Sequence, residues 1–411
     1  MKYIDTFKIA IRALKKSKAR TFLTVLGVVI GITSVSVIIS AGDSMEELIV
    51  GQVSSFGSDL IQTEVRVPST GGGMTSQLQG VEITTMTLGD KEAIDDLPYI
   101  KQSYAVLTGQ ELLSWQGNIS KALIYAATAE FIDIDSSEID QGRFYTEEED
   151  NSLAKVIVLG SGIKEDLFGA SDAIGQNVKI NKANYRVIGV MKPRGAVFFF
   201  DMDDMVYIPL QTTQKLISGV DYVAAISSQM IDMDQEDEAV EAIIALMRER
   251  HDITNPDRDD FETMSMADAQ DLMSSILGGV TLLLIALAGV SLVVGGVGIM
   301  NIMYATVAER TFEIGLRKAV GSTKADIMKQ FLMEALTITF LGGVGGILLG
   351  LLITYLVSLA ANLSGFEWAF TWSISGLLLS LGFSMAIGLI FGLYPAKKAA
   401  NLNPITALRR E

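Results

Sequence analysis

The alternation of apolar and polar positions divides the chain into two kinds of segment. Four long stretches, 21–42, 272–308, 335–366 and 368–396, carry no Asp, Glu, Lys, Arg or His. About 20 apolar residues in a helix cross a bilayer core, so each is long enough to span once. No Pro or polar turn cluster divides the second, which reads as one span with an extension. Spans are expected at 21–42, 274–303, 334–361 and 373–394. In the connection 362–372, Trp368 and Trp372 have the placement of interfacial anchors. Small residues follow the first span as at a signal cleavage site, but its apolar part exceeds the usual signal length, so an uncleaved anchor is expected.

The segment 43–273 has a different rhythm. Short β-branched runs at 155–159, 177–180, 185–191 and 205–210 are broken by Gly, Asn and Lys turns, and 181–184 is expected to turn a hairpin. Residues 235–250 read as a helix with Val240, Ile243, Ile244 and Met247 on one face. Residues 70–80, rich in Gly, Ser and Gln, read as a disordered loop. A folded α+β domain in two lobes is predicted here. For Trp115 and the run Phe198, Phe199, Phe200, core packing is preferred to substrate contact. Ahead of the first span, Ile4, Phe7, Ile11 and Leu14 oppose Lys8, Arg12 and Lys15, which predicts an amphipathic helix over 1–20 on the membrane surface.

Charge orients these pieces. The first 20 residues hold seven bases and one acid, 304–331 five bases and three acids, and 395–411 four bases and one acid. Residues 43–275 hold 16 bases and 41 acids. The positive-inside rule puts both termini and the 304–333 loop in the cytoplasm and the acidic domain outside.

Composition then removes function classes. A net charge of −16 repels a phosphate backbone, so nucleic acid is not an expected partner. With no cysteine and a single histidine, His251, disulfides, thiolate zinc sites and Cys/His or Ser/His catalysis are excluded. The acidic runs 232–241 and 257–262 lack the glycine of a calcium loop and read as solvated surface, so no metal site is expected. The four charge-free stretches contain no Asp, Glu, Lys, Arg or His, which argues against a proton-driven carrier. No Gly-Lys-Ser or Gly-Lys-Thr occurs, so no nucleotide site is expected in this chain.

Two features remain as candidate sites. Gly295, Gly296 and Gly298 in the second span, and Gly342, Gly343, Gly345 and Gly346 in the third, would allow close helix packing. In the 304–333 loop, Ile314, Leu316, Ala319 and Val320 make an apolar face, and Gly321 with Ser322 ends it as a C-cap and a new N-cap. The result is a short amphipathic helix parallel to the membrane, suited to a partner at the inner surface.

At this loop the chain resembles a known family. Glu309-Arg310-Thr311-Phe312-Glu313-Ile314-Gly315-Leu316-Arg317-Lys318-Ala319-Val320-Gly321-Ser322 resembles the cytoplasmic signature of ABC-transporter permeases of the MacB/FtsX type. The first span from Ala19, the ending from Gly392 to Glu411, and Gly142-Arg143-Phe144, Ile174-Gly175-Gln176 and Val206-Tyr207-Ile208-Pro209 resemble other parts of that family. The resemblance implies four spans, an external domain with an inserted lobe near 141–204, and a pairing of two permease copies as a homo- or heterodimer. It implies a coupling helix at about 313–326 seated on a cytoplasmic ATPase, with Glu313, Ile314, Gly315, Leu316, Arg317, Lys318, Ala319, Gly321 and Ser322 as its contact residues. ATP and magnesium would be held by that ATPase, which is expected as a separate subunit because only the basic segment precedes the first span here. An extracytoplasmic adaptor is possible in such systems. The function implied is ATP-driven export or extraction of a hydrophobic peptide, lipoprotein or drug. The alternative is FtsX-like mechanotransmission to a cell-wall hydrolase or sensor. An enzyme is not expected, for want of a catalytic constellation.

Overall fold

The computed structural model describes residues 18–54, 57, 59–68, 83–197, 200–363, 368 and 370–408, without the side chains of 18–24, 52–54, 196, 197 and 200. The surface helix expected before the first span falls almost wholly outside these residues, as do the 70–80 loop and the side chains of the Phe198–Phe200 run. The chain divides into two compact units, one made of 1–48 with 273–411 and the other of 49–272.

Four long helices dominate the first unit: α1 (Lys18–Ser54), α5 (Met266–Glu309), α7 (Lys324–Leu363) and α8 (Ile374–Ala400). Each is long and apolar enough to cross a membrane. All four run beyond the predicted spans at one or both ends, and α5 is unbroken over 44 residues. Their outward faces settle what solvent they suit. Leu282 and Val294 on α5, Leu348 on α7 and Leu378 on α8 are all more than 60% exposed. A helix in water would carry polar residues there, because each exposed Leu leaves apolar area unburied. The inward faces pack Val28, Ile32, Leu292, Ile299, Phe331 and Ala335 into one cluster.

The second unit is built on a ten-stranded mixed sheet. In order across the sheet lie β12 (Phe261–Ser265), β1 (Leu60–Val65), β11 (Ala225–Met230), β2 (Ile100–Trp115), β3 (Asn118–Ala127), β10 (Met205–Pro209), β5 (Val156–Leu159), β7 (Ala183–Met191) and β4 (Ile139–Gly142). The remaining strand of this sheet, β6 (Asn177–Ile180), pairs with β2 and β7, and β8 (Ala196–Val197) with β9 (Phe200–Asp201) makes a separate two-stranded sheet. The segment expected as an inserted lobe supplies β5, β6 and β7, and these join the same sheet through the β5–β10 and β2–β6 pairings.

Strand alternation explains why both faces are covered. Ile157, Leu159, Val206 and Ile208 point into one cluster, whereas Val158, Met205 and Tyr207, which alternate with them along the strands, point into another. Over the first face lie α2 (Leu88–Asp95), α3 (Ser161–Phe168) and α4 (Glu236–Arg250), through Ile94, Leu167, Ile243 and Met247. The other face is aromatic: Phe131 stacks on Tyr207 at 5.3 Å and meets Tyr104 edge-on at the same distance. Trp115 lies on Phe168 at 4.3 Å, in a packing role.

Two hairpin turns follow from local chemistry. β2 and β3 close at Trp115 opposite Asn118, with Gln116 and Gly117 both at positive φ, as a two-residue turn requires. The β6–β7 turn is tighter than the four residues predicted. Ile180 pairs with Ala183, so only Asn181 and Lys182 turn, with Asn181 at φ +52, and Ala183 and Asn184 belong to the strand.

Candidate functional site

The connection between α5 and α7 folds into one short helix, α6 (Thr311–Ala319). It is shorter than the helix expected over 313–326. Gly321 takes φ +105 and stops it, and α7 begins at Lys324. The new N-cap is Thr323 rather than Ser322: the Asp326 amide donates to Thr323 Oγ1, and the Thr323 amide donates back to the Asp326 carboxylate at 3.1 Å.

The apolar face predicted for this helix is really two faces. Ile314 is buried in the helical core with Phe331 and Ala335. On the opposite side Phe312, Leu316 and Val320 are 55, 49 and 79% exposed, with Ala319 beside them. Their spacing of four residues sets them in a ridge along one side of the helix. Glu313 is exposed at its flank.

Polar contacts fix the inner side. Lys318 Nζ donates to the carbonyls of Ala400, at 2.8 Å, and Leu402, at 2.5 Å, at the end of α8. A cation there meets the negative end of the helix dipole. Burial, with a contribution from Lys324, pushes the Lys318 ammonium below its ordinary pKa. Arg317 donates to Glu313 at 2.5 Å and to Gln330 of α7. Gly315 is buried against a last short helix, α9 (Pro404–Leu408). Of the nine residues expected to contact an ATPase, Leu316, Ala319, Glu313 and Gly321 are exposed, whereas Ile314 and Gly315 are buried and the Lys318 ammonium is engaged within the chain. Arg310 and Glu334, joined at 3.1 Å beneath the helix, were not singled out from sequence, because their spacing of 24 residues carries no periodic signal.

The glycine clusters also separate on inspection. A Cβ on Gly295 would lie 3.2 Å from the Gly27 backbone, and one on Gly296 would enter the Phe391 ring. Gly342, Gly343 and Gly346 meet Val28, Ser384 and Ile32 at under 3.0 Å on the same construction. Gly345 has only an ordinary contact with Val29, and Gly298 faces open space. Thr33 Oγ1 donates to the Gly346 carbonyl at 3.1 Å and Ser384 Oγ to that of Thr339 at 2.6 Å, which close backbone approach permits.

In the sheet unit His251 does have partners, all distant from it in any motif sense. Its Nδ1 lies 2.8 Å from Asp260, and its Nε2 lies 3.6 Å from Asp90, whose carboxylate accepts from Arg250 at 2.6 Å. The hydrogen bond to Asp260 and the nearby Asp90 carboxylate raise the imidazole pKa to about 9 against the effect of burial. The group is an ion cluster at the end of α4.

Comparison with known proteins bears on both units. Residues 21–246 match the MacB-like periplasmic core domain, and residues 285–404 match the FtsX-like permease C-terminal domain. A protein of Chlorobaculum tepidum named macrolide export ATP-binding/permease protein MacB is 38% identical over 98% of this chain and 61% of its own length. Its namesake in Bdellovibrio bacteriovorus is 35% identical over 97% of this chain and 61% of its own length. The chain thus spans about three fifths of the relatives it matches. The crystallised periplasmic region of MacB from Actinobacillus actinomycetemcomitans is 20% identical, with a TM-score of 0.47, and covers 55% of this chain and 97% of its own. The family models together cover both units, and the chain belongs to the FtsX-like permeases that carry a MacB-like periplasmic core domain.

Proposed function

We propose that this chain is the permease part of an ATP-driven export system, with α6 docked on a nucleotide-binding partner. The observation that carries the reading is the two-sidedness of α6. Its inner side is fastened by Ile314, Gly315 and Lys318, while Phe312, Leu316 and Val320 stand outside. A ridge of large apolar side chains in a basic, water-facing connection leaves apolar area uncovered unless a protein surface receives it.

In this reading both termini and α6 are cytoplasmic, the sheet unit is extracytoplasmic, and two permease copies work together. ATP and magnesium are held by the nucleotide-binding part. Hydrolysis there moves α6 and the helices attached to it, and the extracytoplasmic domain acts on a hydrophobic peptide, lipoprotein or drug at the outer face. The names of the relatives support export, and the size of the sheet unit favours it over relay to a wall hydrolase or sensor.

The test is affinity purification of the tagged chain from its native membrane in mild detergent, followed by mass spectrometry. A Walker-motif ATPase in stoichiometric amount is expected, lost on Leu316→Asp and Val320→Asp. Capture of a wall hydrolase or a receptor with no ATPase would replace this reading with the regulatory one.

A further inference from the structure

One buried carboxylate in the helical unit has no part in the docking ridge. Glu334, 6% exposed, lies on the α7 face that packs beneath α6, and Arg310, the residue between α5 and α6, donates to both of its oxygens at 3.1 and 3.4 Å. Gln330, one turn earlier on α7, donates to Glu334 at 3.4 Å and accepts from Arg317, which also holds Glu313. Five side chains from the α5 end, α6 and α7 thus form a continuous polar chain whose formal charges cancel.

Such a pair is a poor device for stability alone. Desolvating both ions costs about as much as their attraction returns, and apolar residues of the same volume would serve as well. What a guanidinium–carboxylate contact adds is orientation, because the donors are fixed in a planar fork. Orientation is what the turn between α6 and α7 does not itself supply. Between Ala319 and Lys324 the chain is a turn through Gly321, at φ +105 with nothing near its Cβ position. A helix held there by backbone alone could pivot on the turn when pushed.

We propose that the Arg310–Glu334 pair is the positioning element that makes α6 move as one body with the ends of α5 and α7. The proposal rests on the docking role given to α6 above. A push on the ridge then reaches α7 through Gln330 and Glu334 and reaches α5 through Arg310, instead of being absorbed at Gly321. From α5 it has a covalent path to the sheet, since β12 ends at Ser265 and α5 begins at Met266.

The experiment uses the full chain with the ATPase that co-purifies with it, in lipid nanodiscs, comparing wild type, Arg310→Gln, Glu334→Gln and the exchange R310E/E334R. ATPase capture, the melting temperature of the complex and permease-dependent ATP hydrolysis are measured together. Both single variants are expected to melt below the wild-type temperature, since each leaves one buried charge without its partner, and, assayed where they remain folded, to capture the ATPase in full. Their permease-dependent hydrolysis should fall by about 2- to 30-fold, the usual size of a lost coupling interaction. The exchange, which restores opposite charges, should recover most of the rate. Wild-type hydrolysis in both single variants would overturn the proposal. So would loss of ATPase capture from well-folded single variants, which would make the pair a support for the docking face only. Failure of the wild-type chain to capture any ATPase would instead remove the docking reading on which the proposal stands.

Discussion

Gly315 lies so close to Ala407 that a Cβ built on the glycine would come within 2.7 Å of the alanine Cβ. Neither atom can swing aside, since each is bonded directly to the backbone. Gly315→Ala must therefore part α6 from α9, at a cost of about 1–3 kcal/mol for overpacking. The expected outcome is faster proteolytic clipping of the 401–408 segment and weaker ATPase capture, with the sheet unit's melting unchanged. Unaltered clipping would mean that the two helices do not depend on each other.

Lys318 makes a related prediction. Its ammonium serves the Ala400 and Leu402 carbonyls at the end of α8, so Lys318→Gln removes a charge-assisted cap of about 1–2 kcal/mol. Amide hydrogen exchange over 401–408 should quicken by about fivefold to thirtyfold, that same free energy expressed as a rate ratio. If exchange there stays at the wild-type rate, Lys318 faces the solvent or a partner.

The ion cluster at His251 predicts a pH dependence. Its folded-state pKa of about 9 exceeds the ordinary 6.5, so its contribution is complete below about pH 6.5 and disappears as pH rises through 9. Burial pushes Asp90 up, but the nearby His251 ring and hydrogen bonds from Arg250 and Thr87 hold its carboxyl well below the usual range, so its own contribution is lost only in acid. Melting of the sheet unit can be followed by Trp115 fluorescence in a full-length chain carrying Trp368→Phe and Trp372→Phe. The melting temperature should decline between pH 6.5 and 9, and His251→Gln should flatten that decline while costing about 1–3 kcal/mol. Parallel profiles for the two proteins would show that His251 does not titrate as described.

The membrane glycines separate into two groups that mutation can tell apart. Gly346→Leu drives a side chain into Ile32 and the Val29 carbonyl, and folded yield in detergent should collapse. A Cβ on Gly298 meets no atom of the described residues within 4 Å, and Gly298→Leu should fold as the wild type does. If Gly298→Leu folds but no longer pairs with a second copy by cross-linking, that position lies in the dimer contact.

What was legible in the sequence follows the range of the forces involved. The spans were plain because the absence of charge over 20 residues or more is a property of composition, and α4 because Ile243 and Met247 recur at helical spacing. The strand β11 was hidden: Ser227 and Ser228 are buried in it, so it carries no run of apolar residues. The long β2–β3 hairpin went unread because Gly109, Gln110 and Glu111 interrupt its first strand where it leaves the core. On α6 the apolar residues were identified but not their sides. Ile314 and Leu316 are two positions apart, which on a helix sets them on nearly opposite faces. The Arg310–Glu334 and His251–Asp90 contacts depend on tertiary approach between distant segments, and no local pattern announces them.

The most direct test of the docking account is to ask what Leu316 touches. A photo-crosslinking amino acid is placed at Leu316 in the full chain and irradiated in native membranes, with the same label at Leu378 on the apolar outer face of α8 as control. The account predicts an adduct between position 316 and a Walker-motif ATPase, and none from position 378. An adduct with lipid alone at position 316, or with a protein that lacks a nucleotide site, would contradict it.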